Sequence, residues 1–272
     1  MPHYIALNAK EHQNASFLKA SDYQHAKNDT VAPIVWEELS HVTANIPACF
    51  VQTQQSSDTQ QASYQLVALQ GLQANHNLLI HPTNYKWLFG YVPSHYRGYP
   101  FALLKDANSD RQVLCFDTDS GLIKEAPSED TTPFFEQNGQ PTQLIKNTLQ
   151  FLKLRQTGLQ QTQAAVNQLS GHNLLTPWNI QLKNQQGDTT PLKGLYKIDE
   201  QKLKDLPADQ LKQLAQNGSL AIAYAQLLSE ARLQNLQKVH QAQQQMQKDQ
   251  GQDQEIDLDQ VFGEGDDDTF KF

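Results

Sequence analysis

The chain has 272 residues, of which 38% are hydrophobic and only 18% charged, so its mean hydropathy of −0.63 comes mainly from uncharged polar side chains, above all glutamine. With 8% aromatic residues it carries enough ring surface for a folded core, which a disordered chain of this polarity would lack. A net charge of −8 argues against a nucleic-acid protein, whose many phosphate contacts need a basic surface, so no nucleic-acid partner is expected. No run approaches the roughly 20 apolar residues of a membrane span. The opening Met1-Pro2-His3-Tyr4-Ile5 lacks a basic and apolar leader, which makes the cytoplasm the expected location.

Residues 1–30 are polar and unpatterned and predict a leading arm or loop. Pro33-Ile34-Val35-Trp36 and Pro47-Ala48-Cys49-Phe50-Val51 are short apolar runs with a short helix expected between them. Gln52 to Ala62 predicts a surface loop. Tyr64 to Leu69 and Asn77 to Ile80 predict strands. Between Tyr85 and Leu104 two prolines and two glycines forbid one continuous helix or central strand, so a sharply bent loop is expected, followed by a hairpin of Phe101–Leu104 with Gln112–Asp117.

Beyond Asp117 the pattern changes to helices. Thr142 predicts the cap of a helix over 143–154, with an interruption at Gly158 and a second helix over 162–169. Ile180–Lys183 and Leu192–Ile198 predict an inserted hairpin. Asp199 predicts a helix cap, and Asn217-Gly218 a helix stop. Ser219 opens what should be the longest helix, its apolar stripe fading after Val239. The composition therefore predicts an α+β protein with a mostly-β N-terminal part, helices with an inserted β-hairpin and a long C-terminal helix. The main domain is expected over 31–240, followed by a Gln-rich, acidic flexible tail over 241–272.

Cys49 and Cys115, the only cysteines, sit in apolar runs and read as buried thiols; pairing stays open if their strands are neighbours. The nine histidines show no metal-ligand spacing, so no metal and no cofactor is expected, although His76, His81 and His95 lie close enough in sequence to converge. No nucleophile elbow, phosphate loop or dinucleotide fingerprint occurs.

The segments Tyr91-Val92-Pro93 and Tyr96-Arg97-Gly98-Tyr99-Pro100-Phe101, then Leu114-Cys115-Phe116-Asp117, Phe134-Phe135-Glu136-Gln137-Asn138-Gly139, Leu192 to Asp199 and Gly218-Ser219-Leu220 with Tyr224 and Leu228, taken in order, resemble the bacterial SapC family of surface-layer-associated proteins. The resemblance covers about residues 30–240. It departs at Gly98, where the family carries a second arginine, and at His41–Asn45, where a more apolar helix is expected. It implies association with the paracrystalline layer of the cell surface and brings no catalytic residues with it. A cell-surface location by signal-independent export is thus the alternative to the cytoplasm.

Arg97 is the leading ligand-binding candidate, with Tyr91, Tyr96, Tyr99 and His95 beside it, since a guanidinium among Tyr91, Tyr96, Tyr99 and Phe101 can stack on a ring and hold a carboxylate or phosphate. The plainer reading is that Arg97 satisfies backbone carbonyls while the rings form core. Trp87, Tyr91 and Phe101 are expected to be largely buried, with Arg97 reaching an acidic or carbonyl partner from a loop. In the tail, Asp266, Asp267, Asp268, Phe270 and Phe272 suit capture by a protein partner or use as an export signal; the plainer reading is a solvated tail. A non-catalytic binding or assembly protein leads. The competing reading is a small-molecule enzyme, or an enzyme's accessory subunit, with its site at Tyr85–Phe101.

Overall fold

The computed structural model describes residues 2–53, 62–106, 111–183 and 189–248. From the N-terminus come β1 (Tyr4–Ala6), the helical turn α1 (Ala9–His12), β2 (Ser16–Leu18) and β3 (Val31–Pro33). Asn8 caps α1 by accepting from the Glu11 amide, as a side-chain carbonyl at that position should. A 3-10 turn over Trp36–Glu38 leads into α2 (Leu39–Val42), β4 (Ala48–Thr53) and β5 (Ser63–Leu69). Next are α3 (Ser94–Arg97), β6 (Phe101–Lys105), β7 (Gln112–Asp117), β8 (Ile123–Lys124), β9 (Thr131–Pro133) and α4 (Gln143–Gly171). The chain continues through β10 (Leu175–Pro177), β11 (Ile180–Lys183), β12 (Thr189–Leu192) and β13 (Leu195–Ile198). Four helices follow, α5 (Glu200–Lys204), α6 (Ala208–Gln216), α7 (Ser219–Ser229) and α8 (Leu233–Lys248).

This is an α+β protein. Its largest sheet is antiparallel with the order β10-β13-β4-β5-β3. Leu66 to Leu69 on β5 and Ala48 to Phe50 on β4 are all at most 1% exposed. Successive strand residues point to opposite faces, so this part of the sheet is covered on both sides. α4 packs on β5, and α7 packs on β4 and β13. Two three-stranded sheets, β1-β7-β6 and β8-β2-β9, and the β11-β12 ribbon complete the strands.

The first 30 residues, expected as an arm or loop, supply two short strands to two sheets. β1 forms the edge of the sheet with β7 and β6, and β2 is the middle strand between β8 and β9. Three-residue strands carry too little alternation to be visible, and their pairing is supplied by residues about 110 positions away.

The two helices expected around Gly158 are one helix, α4, of 29 residues, about 43 Å long at 1.5 Å per residue. Gly158 is where the 3-10 turn comes close: a Cβ there would lie 2.9 Å from Glu37 Oε2. One turn on, the Thr162 hydroxyl donates to the Gly158 carbonyl (2.7 Å) and accepts from the Trp36 amide (2.9 Å). The expected cap Thr142 makes no capping bond; its hydroxyl donates instead to the carbonyls of Pro133 and Phe134. The first half of α4 buries Ile145 and Leu152 against Phe101, Phe116 and Phe134, while its second half places Ala165, Val166 and Leu169 in the core of the five-stranded sheet.

Three further local expectations change. Residues 77–80 form no strand apart from one bridge between Ile80 and Trp87; the Asn77 side chain accepts from the Leu79 amide (3.0 Å) and so turns the chain. Gly194, at φ +85°, breaks the expected second hairpin strand, so β12 pairs with β11 while β13 joins the large sheet. The helix from Ser219 is parted by a 3-10 turn at Glu230–Arg232, after Ser229 Oγ has accepted from the Ala48 amide of β4 (2.9 Å). The C-terminal helix α8 stays amphipathic past Val239, with Gln243 only 1% exposed and donating to the carbonyls of Leu78 and Ile80.

The cap at Asp199, which accepts from the Lys202 amide, and the β6–β7 hairpin are as expected. Cys49 and Cys115 are buried free thiols, on strands of different sheets. Of the loop expected over Gln52–Ala62, Gln52 and Thr53 belong to β4; residues 54–61, and the loop residues 107–110 and 184–188, lie outside the described residues. Of the flexible tail expected over 241–272, residues 241–248 are instead the end of α8, and the rest, with Asp266, Asp267, Asp268, Phe270 and Phe272, lies outside the described residues.

Candidate functional site

The aromatic block folds as a series of bends, as its prolines and glycines demand. Tyr85 takes a positive φ of 55°, and the Tyr99–Pro100 peptide is cis. Between them, Pro93 precedes the single turn of α3, whose Ser94, His95, Tyr96 and Arg97 face four different surroundings. The Trp87 indole donates to the Tyr91 carbonyl (3.0 Å), which closes the bend before Pro93. Trp87 and Tyr91 are only half-buried, whereas Phe101 is 6% exposed. The core expectation thus holds for Phe101 and is corrected for the other two, which form the wall of the site.

Its hub is Glu38, a residue the sequence did not single out. Only 3% exposed, its carboxylate accepts four hydrogen bonds. Oε1 receives the Val35 amide (3.0 Å) and the Ser94 hydroxyl (2.9 Å); Oε2 receives the Ser94 amide (2.7 Å) and the Tyr91 hydroxyl (3.0 Å). A buried carboxylate is tolerated when its lone pairs are filled in this way. The Tyr91 hydroxyl is pushed up to about 12, first by burial and then by the neighbouring Glu38 charge. It remains a phenol that donates to Glu38 and accepts from Arg97 Nη2 (3.1 Å).

Among the described residues Arg97 therefore reaches no acid or carbonyl, and it comes from a helical turn rather than a loop. It is exposed, and its guanidinium carbon lies 5.4 Å from the centroids of both the Tyr91 and Phe151 rings. His41 also stacks on Tyr91, centroids 5.0 Å apart at 15°. Four residues after Phe151 on α4, Arg155 approaches His95 Nδ1 through Nη2 (3.0 Å).

The other two tyrosines diverge. Tyr96 is 4% exposed and donates to Gln70 Oε1 (2.7 Å) in the interior; burial, then the Asp29 charge, raises its pKa. Tyr99 donates to Asp117 Oδ2 (2.9 Å) and stacks on His25 with centroids 3.8 Å apart. The structure thus brings Tyr91, Arg97 and His95 around the start of α3 and the middle of α4, and sends Tyr96 and Tyr99 elsewhere. His76, His81 and His95 take separate partners, Gln243, Thr83 and Arg155. Among the described residues no group of three or more His, Cys, Asp or Glu side chains could hold a metal ion.

Two clefts lie away from this block. One, of about 560 Å³, is lined by residues including Lys10, His12, Phe116, Thr118 and Lys124. The other, of about 450 Å³, runs along α4 between Ala164, Ala165, Gly218 and the exposed ring of Trp36.

His25 and His95 are both held down to about 4. Crowding by protein is the main cause at each; Asp22 and Asp117 oppose it at His25, while the Arg155 cation reinforces it at His95. Both residues are nonetheless exposed at the surface, so solvent screens much of the effect and the dependence should be modest. In the unfolded chain these rings protonate near 6.5, so between that pH and 4 the unfolded state binds more protons and folding stability falls as the pH falls. A melting-temperature series from pH 7 to 4 should show this decline, and it should be shallower in a His25→Asn, His95→Gln double variant. Identical slopes in the two proteins would mean that neither ring is kept neutral by the fold.

The family model for SapC matches residues 7–236, a span that contains Glu38, the whole aromatic block and Arg155. No curated protein and no solved structure matches the chain. With the family's aromatic block folded around Glu38 and the match running through nearly all described elements, the chain belongs to the SapC family.

Proposed function

We propose that this chain is a non-catalytic binding and assembly protein of the bacterial surface layer. The observation that carries this reading is how the block uses its polar groups. Glu38 is filled by four donors, Tyr96 and Tyr99 donate to Gln70 and Asp117, and His95 faces Arg155. Groups committed to internal bonds make a rigid framework, whereas a general acid or base must exchange its proton with a substrate. What the framework presents outward is an arginine held against two rings, a composition suited to anchoring a partner. The family resemblance supports the surface layer as the setting. Among the described residues no helix is long and apolar enough to cross a membrane.

Nine of the 29 acidic and one of the 21 basic side chains follow Lys248, so the last 24 residues carry the whole net charge of −8. In this reading Asp266, Asp267, Asp268, Phe270 and Phe272 take part in capturing the protein partner. Cross-linking in native cells should join the full chain to the principal surface-layer subunit. Deleting residues 249–272 should remove that product while leaving the melting temperature of the body unchanged. Absence of any surface-layer cross-link, or turnover of a small molecule that disappears with Arg97→Ala, would replace assembly by the enzymatic reading.

A further inference from the structure

We propose that Arg97 and Arg155 together form an anion-binding site, where α3 meets the middle of α4, for a carboxylate or phosphate group. The proposal rests on the binding reading above and names the chemistry that this face would take.

The chain has only four arginines, and two of them lie on or contact α3. Arg97 is on α3 and touches the ring of Phe151, while Arg155, one helical turn after Phe151, reaches His95 on α3. Residues four apart share a helix face, so Phe151 and Arg155 approach the same short turn. Among the described residues neither arginine is in an ion pair. The nearest buried carboxylate, Glu38, is already filled by four donors, none of them a guanidinium. Glu37 lies further along α4, against Gly158.

Both guanidinium groups are held in place without being saturated. Arg97 is placed against two rings and spends one amino group on the Tyr91 hydroxyl. A planar fork fixed in this way loses little freedom when it binds a carboxylate or phosphate. Arg155 spends one amino group on His95, and its Nε is buried with no hydrogen-bond partner. An unmet buried donor is costly, and an anion accepting from that guanidinium would supply an acceptor. The cations also stand on a body that is formally neutral, because the net charge lies beyond Lys248, so an approaching anion is not repelled by a strongly acidic surface.

The test uses the full chain and titrates three probes: sodium phosphate, citrate and a synthetic peptide of residues 249–272. Binding is read from the chemical shifts of arginine Nε–H groups and from the melting temperature. At least one probe should saturate and shift both arginines. Arg97→Lys and Arg155→Lys keep the charge but lose the fork, and each should weaken binding by about tenfold, the loss of one bidentate contact, at an unchanged apo melting temperature. Saturation by phosphate alone assigns a phosphate group; saturation by citrate or the peptide assigns carboxylates, the peptide pointing to the chain's own C-terminal segment. Equal responses of wild type and both lysine variants, or no saturation by any probe, overturn the site. If that happens while the surface-layer cross-link persists, the assembly reading stands without it.

Discussion

Glu38→Ala should lower folding stability by about 3–5 kcal/mol, because several buried donors lose a charged acceptor at once and relaxation recovers only part of that loss. Four donors, the amides of Val35 and Ser94 and the hydroxyls of Ser94 and Tyr91, would face a cavity, and an unmet buried donor alone costs about 1–3 kcal/mol. The carboxylate also ties the 3-10 turn to α3, two segments separated by more than 50 residues. Glu38→Gln keeps the shape but offers one carbonyl oxygen and an amino group that meets donors with a donor, so its loss should lie between those of wild type and alanine. Denaturant titration of the three proteins reads these differences directly. A loss below about 1 kcal/mol for Glu38→Ala, the scale of a single exposed contact, would show that the block does not depend on this carboxylate.

What the sequence reveals here is what its neighbours in the chain determine. The run Leu66 to Leu69, the β6–β7 hairpin, the Asp199 cap and the helix stop at Asn217-Gly218 depend on residues a few positions apart, and all are read correctly. Glu38 is invisible because its meaning comes from Ser94 and Tyr91, and in the sequence it is one polar residue in a short predicted helix. Gly158 misleads for a related reason. A glycine inside a helix costs only about 1 kcal/mol relative to alanine, which the packing of both halves of α4 overrides, and the small residue is used where Glu37 approaches. The same holds for Gln243, whose burial depends on carbonyls of residues 78 and 80. At the site, the stacking of Arg97 on an aromatic ring follows from its neighbours, whereas the contributions of Phe151 and Arg155 require the register of α4 against α3.

Phe134→Ala should be as costly as the loss of Glu38, by about 3–5 kcal/mol, through packing rather than charge. Phe134 is 0% exposed and is the center of the smaller core, with the rings of Phe101 and Phe116 at 5.6 and 5.8 Å from its own. Such tilted pairs add about 0.5–1.5 kcal/mol each beyond the area they bury. Its backbone also joins separate parts of the chain: the amide donates to the Ala15 carbonyl (3.0 Å), and the carbonyl accepts from the Thr142 amide at the start of α4 (2.9 Å). Truncation would therefore open a void between β6, β7 and the first half of α4, close to the Phe151 face that steadies Arg97. The exposed Leu154 on the same helix is the control, and Leu154→Ala should change stability by no more than about 0.5 kcal/mol. Measured by denaturant unfolding, a Phe134→Ala loss as small as that of Leu154→Ala would mean that the smaller core is not closed. The N-terminal strands and α4 would then be held together by the five-stranded sheet's core alone.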